Sequence, residues 1–178
     1  MTVLRPALLG AALLLAGCST GPVKPGVAVI DPWSPAAVSA ARRMMDLYGS
    51  PDDAAPDRLT RFSKGPWLRT VVRDRPGVFR STRDFDLVVQ TVRYPVTREQ
   101  AFDIVAFSDA LVVDVDHGEI SSGAPREEVN FVNLNLADEV ARGRKSAEEA
   151  KVAYRRILAL TAAGKSTPYA AGLRFPGR

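Results

Sequence analysis

Residues 113–123, VDVDHGEISSG, gather carboxylates, the single histidine and two hydroxyls in one short stretch. Asp114, Asp116 and Glu119 around Gly118 have the make-up of an oxygen-ligand loop for a hard cation. The spacing departs from such a loop: its fifth position needs a further acid, and Gly118 stands there. A serine–histidine–aspartate set can be drawn from His117, Ser121 or Ser122 and one aspartate. It lacks the Gly-X-Ser-X-Gly elbow, and such triads are made by geometry rather than proximity in sequence. The stretch is read instead as a tight hairpin. His117 and Gly118 are its two central residues at positive φ, and Asp114 and Asp116 face solvent between Val113 and Val115. No residue is assigned as catalytic, and no metal or cofactor is expected.

Two other stretches carry polar groups in telling places. In NFVNLNLADE, residues 130–139, a helical wheel puts Asn130 and Asn133 on the apolar arc of Val129, Leu134, Ala137, Val140 and Ala141. Asn135 and Glu139 fall outside it. A buried amide needs partners. Asn130 and Asn133 therefore either tie the helix to a loop or sheet edge, or line a polar pocket with His117. In RTVVRDRPGVFRSTR, residues 69–83, the arginines are Arg69, Arg73, Arg75, Arg80 and Arg83. Strand alternation puts Arg69 and Arg73 on one face with Trp67 and Val71. These arginines form either a solvated face or, with Trp67, a surface for a partner or an anion, since guanidinium binds carboxylate and phosphate through two bonds.

The elements that must position these groups are marked by caps and breakers. Ser34-Pro35 opens a helix with Ala37, Ala41, Met44, Met45 and Tyr48 on one face, and Gly49 closes it. Residues 50–57 form a loop. Leu59–Phe62, Trp67–Arg73 and Phe85–Tyr94 read as strands. The basic segment before the third of these reads as an exposed loop. Thr97 and Gln100 make a capping box for a helix ending near Phe107, with Phe102, Val105 and Ala106 as its apolar face. Leu111–Val115 is a strand, and Ile120 and Ser121 return beside it. Gly123-Ala124-Pro125 begins a helix running to Arg142. Ser146 and Glu149 box the last helix, which reaches about Ala163. The tail is irregular or a short edge segment. The order α-β-β-β-α-β-α-α predicts an α+β fold: a mainly antiparallel sheet of about four to five strands with helices packed on one face.

Composition narrows the chemistry further. The chain has 178 residues, 46% of them hydrophobic and 25% charged, which is the make-up of a folded domain. Its formal charge of +4 is spread along the chain with no basic-aromatic motif, so nucleic acid is not an expected partner. One histidine excludes any mechanism that needs two imidazoles from one chain.

The single cysteine, Cys18, follows an apolar run. Arg5 is the only charge before it, Ala7–Leu14 are apolar apart from Gly10, and small residues precede the thiol. That order is the secretory pattern, and the run is shorter than the roughly 20 residues of a spanning helix. Leu15-Ala16-Gly17-Cys18 resembles the lipobox of bacterial lipoproteins. The resemblance covers the first eighteen residues. It implies cleavage before Cys18, acylation of its thiol and of the new amino terminus, and attachment to a membrane through several acyl chains. Ser19, in place of Asp, implies the outer membrane rather than the inner. An acylated Cys18 leaves no thiol for a disulfide, a zinc site or a nucleophile.

The chain therefore divides into a signal peptide (1–17), a lipidated cysteine and tether (18–33) and one α+β domain (34–175). The expected function is that of a lipid-anchored cell-envelope protein, a non-enzymatic binding or scaffolding module. Its expected partners are the membrane and an envelope protein or anionic envelope component. The other reading is a periplasm-facing hydrolase that uses His117 and nearby carboxylates.

Overall fold

Ser34 accepts from the Ala37 amide at 3.4 Å, Pro35 fills the first helical turn, and Gly49 ends the helix at φ +80°. The local chemistry that marked this helix therefore operates as expected. The computed structural model describes residues 28–74 and 86–176. Its elements are α1 (Pro35–Tyr48), β1 (Asp53–Ala55), β2 (Arg58–Lys64), β3 (Trp67–Arg73), β4 (Val88–Arg93), α2 (Arg98–Phe107), β5 (Leu111–Asp114), β6 (Glu119–Ala124), α3 (Glu127–Ala141), α4 (Ala147–Ala162) and α5 (Pro168–Ala171).

The strands form one open antiparallel sheet in the order β1-β2-β3-β4-β6-β5, with the helices on one face. The α+β class is as expected, with six strands instead of four to five. The additional strand is β1, inside the Pro- and Asp-rich segment read as loop. Its residues are poor strand formers, and it exists through pairing with β2, with Asp53 opposite Thr60.

Two apolar clusters fill the space between sheet and helices. Leu59, Val72 and Val88 meet Ala37, Ala41 and Met44 of α1. Val92, Leu111 and Ile120 meet Ile104 and Phe107 of α2 and the inner residues of α3. Ile30 and Trp33 also join the α1 cluster, and the Trp33 indole donates to Pro56 O at 2.7 Å. The packed region thus reaches back to Ile30, inside the segment read as tether. Arg61 is buried among these groups. Its guanidinium donates twice to Gly49 O, at 3.1 and 3.0 Å, and so caps the last turn of α1.

Several expectations are corrected. Gly123 and Ala124 do not start a helix: they continue β6, paired with Val89 and Val88, and α3 begins at Glu127. Cross-strand pairing with β4 outweighs the local Gly-Ala-Pro signal. The β5–β6 connection has four residues, 115–118, and only Gly118 takes positive φ, at +64°. His117 is spared that conformation because Asp114 braces the turn, accepting from the His117 amide at 3.0 Å. The tail forms the short helix α5. All of α3 except Glu128 and Glu139 is buried, so its wheel has no solvent side, and Asn135 lies inside as well. Asn135 Nδ2 donates to Tyr169 O and Gly172 O, and its Oδ1 accepts from the Arg174 amide, which fastens the tail over the helix.

Candidate partner-binding groove

The structure separates residues that the sequence grouped together. Trp67 is completely buried on the helix side, its ring stacked on Phe131 at 5.0 Å between centroids. As the first residue of β3, just after the Gly65-Pro66 turn, it escapes the alternation that governs the rest of the strand. Arg69 and Val71 lie on the outer face, opposite Thr91 and Val89. Arg69 is engaged there, 3.8 Å from Glu119 Oε2 and 3.5 Å from Thr91 Oγ1. Among the described residues Arg73 Nε is buried without a partner. Arg75, Arg80, Arg83 and Cys18 lie outside the described residues. The surface proposed around Trp67 thus loses its tryptophan to the core.

Asn130 and Asn133 face the middle of the sheet. Asn130 Nδ2 donates to Val88 O at 3.0 Å and to Gln90 Oε1 at 2.9 Å, and Asn133 Nδ2 donates to Ser122 Oγ at 3.0 Å. His117 is on the β5–β6 turn with its side chain 75% exposed, so it shares no pocket with them. Its imidazole Nδ1 lies 2.8 Å from Asp114 Oδ2. The two candidate serines are committed elsewhere, Ser121 to Thr91 at 2.8 Å and Ser122 to Asn133. Among the described residues no three His, Cys, Asp or Glu side chains form a metal-ligand group, and no helix is long and apolar enough to cross a membrane.

What the 113–123 stretch does form is one wall of a groove. Val112–Asp116 line it on the sheet side, and Arg98, Ala101, Phe102 and Val105 of α2 line the other, around a volume of about 560 Å³. The helix turns two apolar stripes in different directions. Ile104 and Phe107 point into the core, while Phe102 is 77% exposed and Val105 and Val112 are also exposed. The expected apolar face of Phe102, Val105 and Ala106 is therefore corrected: all three are exposed, and Ile104 and Phe107 are the buried residues. Both stripes follow helical spacing, and the sheet takes the one ending in Phe107. A helix with two apolar stripes was the available signal that a second surface is offered.

Among the described residues the β5 side of the groove is a sheet edge. β5 is the last strand of the sheet. The Gly123 amide donates to Ala110 O at 3.0 Å, which makes Ala110–Gly123 a hydrogen-bonded pair of the ladder. Alternation then turns Ala110, Val112 and Asp114 toward β6, and Leu111 and Val113 toward the open side. The Leu111 amide is used by Ser108 O at 3.3 Å. Among the described residues, Leu111 C=O and both Val113 groups therefore remain for a further strand. The charged lining residues are Asp114, Asp116 and Arg98. The His117 amide, then its imidazole, hold the Asp114 carboxyl below its usual range, so it is ionised at neutral pH. Comparison with protein-family models, with curated proteins and with solved structures finds no match for this chain.

Proposed function

We propose that this protein is a non-enzymatic binding module of the cell envelope, anchored through an acylated Cys18 in the outer membrane. Its partner is an envelope protein, from which it takes one extended segment along β5. The observation that carries this reading is the unpaired β5 edge lying beside exposed Phe102. An extended backbone is the ligand that satisfies outward N–H and C=O groups at strand spacing. Apolar side chains at alternate positions of that segment fit Phe102, Val105 and Val112, and a basic side chain suits Asp114 and Asp116. The anchor keeps the module near partners of the same membrane.

The test uses the full chain in its native host, with a photo-crosslinking residue at position 102 and, as control, at position 62 on the outer sheet face. Position 102 is expected to give a heteromeric adduct that position 62 does not. Val113→Pro should abolish it with the fold intact, because proline is tolerated where an edge N–H points outward. A crosslinked homodimer, or an adduct indifferent to Val113→Pro, refutes the reading. Cys18→Ala should release the chain from the membrane or leave an uncut precursor. An unmodified Cys18 in the mature protein refutes the anchor.

A further inference from the structure

A cavity of about 410 Å³ lies apart from the groove, between α3, α4 and the end of β6. Its walls are apolar where the helices face each other, at Val129, Val132 and Leu158. They are acidic at Asp86 and Asp109, just ahead of β4 and β5. Asp86 is 3% exposed, and among the described residues its Oδ2 has no hydrogen-bond partner. Among the described residues neither aspartate has an ion pair, whereas Glu128, also on the wall, is held by Arg43. Gly123 leaves the space that the Asp86 carboxyl occupies: a Cβ there would stand 3.0 Å from Asp86 Cγ. Burial, and then the neighbouring Asp109 charge, push the Asp86 carboxyl above its ordinary range. A buried carboxyl beside a second acid, with no cation on it, is unfavourable unless something brings one. Arg126 reaches the wall as an exposed side chain and pairs with neither acid.

We propose that this cavity is a ligand site for a small primary amine with an apolar tail, the ammonium seated on Asp86 with Asp109 behind it and the tail between Val129, Val132 and Leu158. The size is that of small-molecule pockets, which are mostly apolar with few polar groups. An ammonium gives the Asp86 carboxyl the charge-assisted bond it lacks. This site is independent of the β5 groove.

Titration calorimetry of the full-length chain with hexylammonium, hexanol and hexanoate tests the idea. Hexylammonium is expected to bind, and hexanol to bind about ten- to hundredfold more weakly, the worth of a hydrogen bond to a charged group. Asp86→Asn should cost hexylammonium a similar factor, and the groove variant Asp114→Asn should cost nothing. Ala162→Phe, at an exposed position on the cavity wall, should obstruct the tail and weaken binding even if Asp86→Asn does not fold. Equal binding of amine and alcohol, or hexylammonium binding unchanged in Ala162→Phe or in a folded Asp86→Asn, overturns the proposal. So does the absence of heat at millimolar hexylammonium.

Discussion

Trp67 Nε1 donates to Glu127 Oε1 at 2.6 Å, joining the first residue of β3 to the first residue of α3. The same oxygen accepts from Tyr48 Oη of α1 and from Gln90 Nε2 of β4, each at 2.7 Å. Four elements therefore meet at one buried carboxylate, which also lies at the amino end of α3, where negative charge is favoured. Burial, then the bond to Glu127, pushes the Tyr48 hydroxyl well above its ordinary pKa. The groove-bearing half of the sheet and the α1 half are bound through this point.

Trp67→Phe keeps an aromatic ring on Phe131 and removes one donor to Glu127. Glu127 Oε1 keeps Tyr48 and Gln90, so the cost should be about 1.5–3 kcal/mol, the worth of one hydrogen bond to a charged group. Trp67→Ala also empties the core and should cost about 3–5 kcal/mol. Urea unfolding followed by circular dichroism measures both. Equal losses for the two substitutions would show that the indole bond, not the packing, dominates.

The two asparagines should differ. Asn130 makes two bonds to the sheet and Asn133 makes one, and among the described residues the Oδ1 of each is buried without a partner. Asn133→Leu strands only the Ser122 hydroxyl and also removes an unpaired acceptor, so a loss of about 1 kcal/mol is expected. Asn130→Leu strands Gln90 Oε1 and also takes one donor from Val88 O, which keeps its place opposite Ala124, and should cost about twice that. The reverse order in urea midpoints would contradict the bonding described for α3.

Much of this architecture was legible where a local group satisfies a local need. The capping boxes at Thr97–Gln100 and Ser146–Glu149 both form, and Trp67–Arg73 is a strand to the residue. The misreadings share one cause, a distant partner overriding the local signal. Gly123 extends a strand because β4 lies beside it. Asp53–Ala55 pairs because β2 turns back on it. α3 shows no polar face because sheet, helices and tail surround it, so its wheel gave correct positions for Asn130 and Asn133 and a misleading one for Asn135. The groove was hidden for a related reason. Helical spacing fits Phe102 and Phe107 to apolar stripes equally well, and the sheet's position decides which is left outside.

Acid and alkali should act on one cluster. Asp138 Oδ1 accepts from Tyr94 Oη at 2.6 Å and from Arg142 Nε at 2.7 Å, and Oδ2 accepts from Arg144. Burial alone would raise the Asp138 pKa, but the bonds from Tyr94, Arg142 and Arg144 outweigh it and hold the carboxyl below its usual value. A depressed folded-state pKa stabilises above the unfolded value, about 3.9, and that contribution disappears as pH falls through the folded value. Asp138→Asn should thus be less stable than the natural chain at pH 7, by about 1–2 kcal/mol, with the gap closing as pH falls below about 4. Burial, with the Asp138 bond and charge, raises the Tyr94 hydroxyl to about 12. Its contribution is complete below the unfolded value of about 10 and is lost as pH rises toward 12. Tyr94→Phe should remove that part of the alkaline loss. Midpoint temperatures across the pH range test both limbs.

The two phenylalanines of α2 provide the sharpest separation of fold from function. Phe107 is buried against Leu111 and the α3 residues and meets Tyr154 edge-on at 6.3 Å, whereas Phe102 projects into the groove. Phe107→Ala should cost about 3–5 kcal/mol through the cavity it leaves. Phe102→Ala removes a ring that is mostly in water already and should change stability by no more than about 0.5 kcal/mol. In partner capture the order should invert. Phe102→Ala, folded and at its natural level, is expected to lose the heteromeric adduct formed at the groove, read through a crosslinker moved to position 105 beside it. A Phe102→Ala chain that captures its partner as well as the natural chain does would mean that the exposed stripe is not the binding surface. A loss of stability comparable to that of Phe107→Ala would mean that Phe102 is part of the core after all.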